Sequence, residues 1–193
     1  GMHRPSTHEE LVNKYGEEIV ANEEIVMHVA TDDSMMKKIG TLPSGGECII
    51  NKVAADCDLL LAEGFIEPHF FAGFSGSRKS VLPGIASYKT IMYNHNGQFV
   101  NDSHSRAGNL CHNHVSEDMF ASAEMAHLAF VLNVVLNGKH EVIGSFAGDR
   151  FPRLQMRTFD LDTPEEAAEF LREKSVPVAV PRSEKRVRYH HVR

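Results

Sequence analysis

The sequence predicts an α/β fold, in which a mostly parallel sheet with flanking helices is followed by a C-terminal β-hairpin. Two apolar runs, residues 25–30 and 58–63, are typical of buried strands, and each precedes residues that favour a turn, a loop or a helix. Asn137-Gly138 lies between two further apolar runs and is a strong hairpin signal. Alternation of strands and helices along a chain is characteristic of α/β domains.

The elements before residue 64 are short. Thr7 and Glu10 form a capping box that begins a helix over residues 7–15, and Gly16 ends it. After the strand at 25–30, the sequence predicts a turn or helix start at 31–33, a loop at 42–46, an apolar run at 48–50, a helix at 52–56 and the strand at 58–63.

The second half is predicted to be loop-rich first and regular afterwards. The expected elements are a loop region at 96–114, a helix at 116–127, a strand at 129–136, its returning strand at 141–147 and a helix at 163–174. Thr163 is the N-cap of that last helix and Pro164 lies in its first turn. We therefore expect one domain over residues 1–175.

Residues 176–193 are expected to form an irregular basic tail. From Arg182 to Arg193 there are five Lys or Arg residues and one acidic residue, without a helix or strand period. Two interpretations stay open, an out-of-frame sequence and a natural solvated basic tail. A frameshift would leave the missing coding sequence in another frame immediately downstream, which resequencing the gene tests.

Composition excludes several classes of protein. Hydrophobic residues make up 42% and charged residues 24%, the balance of a globular domain, and the net charge of −6 argues against general nucleic-acid binding. No apolar run reaches the roughly 18 residues that a membrane span needs. Three cysteines without a pattern favour a reducing cytoplasm.

The segment over residues 64–86 carries most of the chemistry. It leaves a predicted strand, where α/β proteins place ligands, and it combines glycines with His69, Glu67, Arg78 and Lys79. A phosphate-binding P-loop does not fit, because that motif needs glycine directly before its lysine. The alternative to a functional site is an ordinary glycine-rich loop with charged surface residues.

The same segment resembles the nickel-dependent lactate racemase family, which includes 2-hydroxyacid racemases and epimerases. The resemblance rests on residues 67–76 (EPHFFAGFSG), 78–84 (RKSVLPG), Asn94-His95 and the upstream run at 3–5 (HRP). Where the family usually has a second glycine, this sequence has Ser77. Family members are more than twice as long, so the resemblance implies a fragment of a larger two-domain enzyme.

The resemblance implies a nickel pincer cofactor, pyridinium-3-thioamide-5-thiocarboxylic acid mononucleotide, which cofactor-making enzymes must supply. In this sequence Lys79 matches the lysine that carries the cofactor as a thioamide, and His95 matches the nickel ligand. His3 and His69 match the two residues that act as acid and base while a hydride passes from a small 2-hydroxyacid to the cofactor. Arg78, Gly73 and Gly76 are expected to contact the cofactor.

Elementary chemistry agrees with these roles. Imidazole titrates near neutral pH and is a good nickel ligand, and an amine reacts only when it is unprotonated. One alternative stays open, a truncated, inactive remnant that binds metal or nothing. Cys111, His112 and His114 suggest a zinc site, but a structural zinc site needs four ligands at recognisable spacing, which argues against it. Apolar surface left by the missing parts leads us to expect a homo-oligomer.

Overall fold

Helices and strands alternate in the computed structural model, which describes residues 1–149, 176–177 and 190–191. The strands are β1 (Met36–Thr41), β2 (Glu47–Asn51), β3 (Leu60–Phe65), β4 (Pro68–His69), β5 (Gly73–Phe74), β6 (Leu128–Leu136), β7 (Val142–Asp149), β8 (Val176–Pro177) and β9 (His190–His191). The α-helices are α1 (His8–Tyr15), α2 (Glu17–Asn22), α3 (Lys52–Asp56), α4 (Tyr88–Asn94), α5 (Gly97–Val100) and α6 (His114–Met125). Two 3-10 helices cover Asp33–Met35 and Ser77–Ser80.

The largest sheet has three strands in the order β3–β6–β7. Strand β3 runs parallel to β6, with Leu61 opposite Phe130, whereas β7 returns antiparallel to β6. The predicted strands at 58–63 and 129–136 and the predicted hairpin are confirmed. The α/β class is confirmed as well, but among the described strands parallel pairing is limited to β3 and β6, because strands joined by hairpins pair antiparallel.

A separate hairpin of β1 and β2 is linked by the predicted loop at 42–46. Lys38 of β1 pairs with Glu47 of β2 at 2.7 Å across this exposed ladder. The sequence did not predict β1 as a strand, since Lys37, Lys38 and Gly40 break its apolar pattern. Its antiparallel pairing with the apolar β2 supplies the hydrogen bonds that local propensity does not indicate.

The predicted strand at 25–30 is wrong. Residues 24–29 have no regular secondary structure, and the Val26 side chain is 43% exposed. An apolar run becomes a strand only when a neighbour completes its ladder. This segment instead makes isolated backbone hydrogen bonds, such as the one from Tyr88 N–H to the Ala30 carbonyl at 2.7 Å.

The helix predictions before residue 60 are confirmed. Thr7 and Glu10 form both bonds of the capping box of α1, and Gly16 follows the helix at φ 85°. Asn51 caps α3 by accepting a hydrogen bond from Val53 N–H at 3.0 Å. Each helix is short, so its position depends on its caps and on packing more than on helix propensity.

The core lies between the main sheet, helix α6 and the β1–β2 hairpin. Val115, Met119 and Ala123 share the buried face of α6, and all three are fully inaccessible. They pack in one cluster with Ile50 of β2 and Val131 of β6. The opposite face of the sheet is open: Leu61, Phe130 and Leu132 are 56%, 39% and 42% exposed.

The C-terminal predictions are tested only in part. The predicted helix at 163–174 and most of the basic tail lie outside the described residues. Within the tail, β8 pairs antiparallel with β9, although the sequence there carries no strand signal. Backbone pairing of two dipeptides needs no apolar period, which is why the sequence did not indicate it. Across the described part of the chain, no helix has the length and apolarity to cross a membrane.

Candidate active site

The segment that follows β3 folds back on itself at the carboxyl end of that strand. Strands β4 and β5 form a minimal hairpin in which His69 pairs with Gly73, and the 3-10 helix Ser77–Ser80 follows directly. Ser75 stabilises the turn, because its hydroxyl donates to the Phe65 carbonyl at 2.8 Å and accepts from Glu67 N–H at 2.9 Å. The fold therefore places His69 and Lys79 on adjacent turns of one loop.

Two of the predicted cofactor-contacting residues, Gly73 and Gly76, are required by packing within the protein. Both have left-handed backbone angles, with φ 78° and 77°. A Cβ at Gly73 would lie 2.4 Å from the Asn109 carbonyl oxygen, and one at Gly76 would lie 2.8 Å from Asn133 Oδ1. Their need for glycine follows from these contacts and from φ, whatever else approaches the backbone.

Ser77 is held by the side chain of Asn133. Ser77 has φ 46°, an uncommon conformation for a residue with a Cβ. Asn133 accepts from Ser77 N–H at 3.1 Å and donates to Ser77 Oγ at 2.8 Å. Asn133 lies on β6 and is 1% exposed, so both bonds are shielded from water. This pair anchors the turn just before Lys79 and uses the serine in place of a second glycine.

Replacing Asn133 by alanine should destabilise the fold. Asn133→Ala removes two hydrogen bonds to the partly buried Ser77 and empties a buried polar position, which costs about 1–3 kcal/mol. Equilibrium unfolding in urea measures this loss. The control is Asn101→Ala at an exposed position, for which we expect a change within about 0.5 kcal/mol. Equal stabilities of the two variants would contradict the role of the Asn133–Ser77 pair.

Arg78, also expected at the cofactor, points into the protein. Its Nη2 donates to the carbonyls of Ala72 and Phe74 at 2.9 and 3.2 Å and to Ser116 Oγ at 3.1 Å. The guanidinium lies 4.5 Å from the centre of the Phe120 ring. Burial lowers the pKa of Arg78 to about 10. Because Arg78 directly precedes Lys79 in the chain, its buried positive charge lowers the pKa of Lys79.

His69 is half-buried among aromatic rings. Phe70 stacks on it at 4.6 Å and Phe71 meets it edge-on at 4.6 Å between ring centres. Ala72 N–H donates to His69 Nδ1 at 3.2 Å. Burial, together with the positive charges of Lys79, His95 and Arg78, lowers the pKa of His69 to about 4. His69 is therefore a neutral imidazole at pH 7, with its proton on Nε2.

His95 directly follows α4 and contacts the same aromatic cluster. The Phe71 ring meets His95 edge-on at 5.1 Å. The preceding residue, Asn94, is fixed by bonds of its amide to Asp118 Oδ2 and the Val115 carbonyl, each 3.2 Å. His95 Nδ1 is buried and has no hydrogen-bond partner within the described residues. Burial and the charge of Lys79 lower the pKa of His95, and the Ile91 carbonyl partly opposes them.

Lys79 is half-buried, and its positive charge lowers the pKa of both His69 and His95. Burial and the adjacent charge of Arg78 lower the pKa of the Lys79 amine to about 8, against the opposing effect of Glu67. An amine with this pKa is unprotonated in a useful fraction near neutral pH, in contrast to an exposed lysine with a pKa of about 10.4. Lys79 therefore meets the chemical requirement for a nucleophilic amine.

The reactivity of Lys79 should show this lowered pKa. The rate of acetylation of Lys79 by a limiting amine reagent, followed by mass spectrometry of peptides, should reach half its maximum near pH 8. Lysines of unstructured model peptides, with a pKa of about 10.4, serve as the references. A Lys79 profile that coincides with those references would contradict the effect of burial.

His3 stands apart from the other predicted residues. It is exposed, and no hydrogen bond joins it to His69 or Lys79 in the described structure. The segment it belongs to does reach the site loop, since the nitrogen of Gly1 donates to the Gly84 carbonyl. The structure thus brings His69, Lys79 and His95 together and leaves His3 at the edge of the same loop.

The proposed zinc ligands do not converge. Within residues 1–149, 176–177 and 190–191, no three His, Cys, Asp or Glu side chains are grouped as a metal site. Sequence reasoning also missed contributors to the site, namely the Phe71 ring, Asn133 and Asp118. Asn133 did leave a signal, because it is the one amide within the otherwise apolar strand β6.

The fold and the site define a mixed α/β domain that carries a lysine and two histidines on loops beyond the carboxyl end of a sheet strand. By sequence, the chain belongs to the lactate racemase N-terminal domain family, which residues 1–108 match. It is 72% identical over 149 residues to the lactate racemase of Lactiplantibacillus plantarum and 51% identical over 148 residues to that of Thermoanaerobacterium thermosaccharolyticum. Each alignment covers 77% of this chain and 35% of the relative.

Solved structures agree with this assignment. The lactate racemase apoprotein from T. thermosaccharolyticum superposes with a TM-score of 0.78 and 45% identity, over 91% of this chain and 40% of that one. A crystal structure of a Thermotoga maritima protein gives a TM-score of 0.64 and 25% identity, over 77% and 40%. The chain therefore spans about a third of the length of the curated relatives it matches.

Proposed function

We propose that this chain carries the cofactor-bearing half of a nickel-dependent 2-hydroxyacid racemase of the lactate type. The observation that carries the proposal is the convergence of Lys79, His69 and His95 in one half-buried cluster, in which burial and the charge of Lys79 lower the pKa of both histidines. Perturbed titratable groups that converge in this way are typical of active sites. The similarity to two lactate racemases supports the substrate class, a small 2-hydroxyacid.

The residues present fit a nickel pincer nucleotide. Lys79 is the group that would carry it, because its lowered pKa of about 8 favours attack by the neutral amine. His95 would hold the metal, since a neutral imidazole with a buried nitrogen that lacks a partner in the described chain is available to a ligand. The buried charge of Arg78 favours an anionic group of the cofactor nearby. The backbone at Gly73 and Gly76, in the same loop, would contact the cofactor as well.

The chain's own residues supply positioning and proton transfer. A bound cofactor would supply the hydride-transfer chemistry at the substrate carbon. His69 presents Nε2 to the substrate oxygen, because Nδ1 is occupied by Ala72 N–H. In the tautomer that the Ala72 contact favours, Nε2 carries the proton and donates a hydrogen bond. Uptake of the hydroxyl proton at Nε2 requires the proton to move to Nδ1 and the Ala72 contact to open.

Inversion of configuration needs a second proton acceptor on the opposite side of the substrate. We assign this role to His3, which lies on the segment bound to Gly84 at the edge of the loop. Its exposed position in the chain described here means that the substrate, or further protein, must complete its surroundings. The enzyme is expected to act in the cytoplasm, after the cofactor-making enzymes have loaded Lys79.

The open face of the main sheet supports self-association of this chain. Leu61, Phe130 and Leu132 form a contiguous apolar surface there, because Leu61 lies opposite Phe130 on adjacent strands. Covering such a surface is favourable at roughly 25 cal/mol per Å². Light scattering over a range of concentrations should show an oligomer, and a monomer at every concentration would contradict this.

Co-expression with the cofactor-making enzymes tests the proposed function. We expect an intact-mass increase that peptide mapping places on Lys79, nickel in the purified protein, and conversion of one lactate enantiomer into the racemate. Protein made without those enzymes should have the unmodified mass and is the control. A loaded chain that does not racemise any small 2-hydroxyacid would instead support the alternative, an inactive remnant of the same family.

A further inference from the structure

Asn113, at the N-cap of α6, lies outside the segment that the sequence connects with the site. Its side chain is fully buried. Asn113 Oδ1 accepts from Ser116 N–H at 3.1 Å, which is an ordinary capping bond. Its amide Nδ2 makes two further bonds, to the Phe71 carbonyl at 2.8 Å and to the Asn109 carbonyl at 3.1 Å. Capping requires only the oxygen, so the contact with Phe71 has a separate consequence.

That consequence reaches His69 through one peptide group. The carbonyl of Phe71 and the N–H of Ala72 belong to the same planar unit and point in opposite directions. Asn113 holds the carbonyl end, and the N–H end donates to His69 Nδ1 at 3.2 Å. Rotation of this peptide would therefore break both bonds together.

The side chain of Phe71 extends the effect to the other histidine. Its ring meets His69 at 4.6 Å and His95 at 5.1 Å, edge-on in both cases. The same stretch is held on its other side by Arg78, which donates to the carbonyls of Ala72 and Phe74. The Phe71–Ala72 peptide is thus the structural link between helix α6 and the two histidines.

We propose that Asn113 is a positioning residue, which orients the imidazoles of His69 and His95 by holding the Phe71–Ala72 peptide. Its catalytic meaning rests on the proposed racemase function, whereas its structural effect does not. With the peptide held, Ala72 N–H selects the His69 tautomer that has its proton on Nε2. Without the hold, His69 is free to exchange tautomers and the Phe71 ring loses its fixed position.

Two substitutions separate positioning from capping. Asn113→Asp is nearly isosteric and keeps the capping oxygen, but it replaces the donor to Phe71 with an acceptor. Asn113→Ser also keeps a good N-cap and removes the donor. The matched control is Asn51→Ser, at another buried N-cap whose amide contacts His28 and not His69.

The readout is the imidazole ¹⁵N–¹H spectrum of the full, cofactor-free chain at neutral pH, with the His69 signals identified from their loss in His69→Gln. In the unmodified chain we expect the single Nε2–H pattern for His69. In both Asn113 variants we expect mixed or exchange-averaged tautomers, while Asn51→Ser leaves His69 unchanged. In the loaded enzyme the Phe71 ring would no longer fix the positions of the two imidazoles. For that reason kcat should fall about 10-fold to 10²-fold with little change in KM, in line with the cost of small misplacements.

Folded Asn113 variants with an unchanged His69 pattern would overturn the proposal. Should Asn113→Asp fail to fold, Asn113→Ser decides by the same criterion. Failure of the proposed function can be told apart from failure of the positioning role, because the spectrum needs no cofactor. If the tautomer changes in a chain that never racemises, the positioning role stands and only its catalytic meaning is lost.

Discussion

Lys79→Arg should abolish covalent loading of the cofactor and, with it, racemisation. Arginine keeps the positive charge, but its guanidinium stays protonated and cannot form the thioamide. The measurement is intact mass after co-expression with the cofactor-making enzymes, and we expect no increase. We expect the racemisation rate to fall by at least about 10⁴-fold, because the cofactor provides the chemistry.

The control for this variant is Lys89→Arg on α4. Lys89 pairs with Glu47 at the surface, and arginine can make the same ion pair. Loading and activity should therefore match those of the unmodified chain. A mass increase that persists in Lys79→Arg would place the attachment on another residue and would refute the assignment of Lys79.

His69→Gln should lower the racemisation rate about 10²-fold to 10⁴-fold, the range for loss of a general acid–base residue. Glutamine is polar and of similar length but cannot exchange a proton near neutral pH. Loading at Lys79 should be unaffected, since His69 is not expected to bond the cofactor. Rates at saturating lactate, together with intact mass, separate the two effects.

The matched control is His104→Gln. His104 is exposed, and its ring nitrogen bonds to Asp102 at 2.9 Å. We expect its rate to remain within about threefold of the unmodified chain, as for most surface substitutions. If His69→Gln behaves like His104→Gln while both carry the cofactor, proton transfer must occur elsewhere and the role of His69 is wrong.

Local signals in the sequence determined several elements correctly. The capping box at Thr7 and Glu10, the hairpin at Asn137-Gly138 and the apolar strand β6 depend on neighbouring residues, so that their patterns are readable along the chain. The run at 67–84 also identified the family, because a long motif of glycines, histidine and lysine is specific without knowledge of the fold.

Tertiary structure decided the elements whose partners are distant. Residues 25–30 have the composition of a strand but no ladder neighbour, whereas β1, with Lys37, Lys38 and Gly40, is a strand because β2 pairs with it. Pairing energy belongs to both strands, so neither sequence alone reveals it.

The site divides in the same way. The resemblance of the sequence to the racemase family indicated His69, Lys79 and His95, and the chemistry of their side chains agrees with it. It did not indicate that Arg78 is buried against Ala72 and Ser116, or that Asn113, about 40 residues beyond the loop, holds the Phe71 carbonyl. Those roles depend on hydrogen bonds between residues far apart in the chain, which only the packing of α6 against the loop creates.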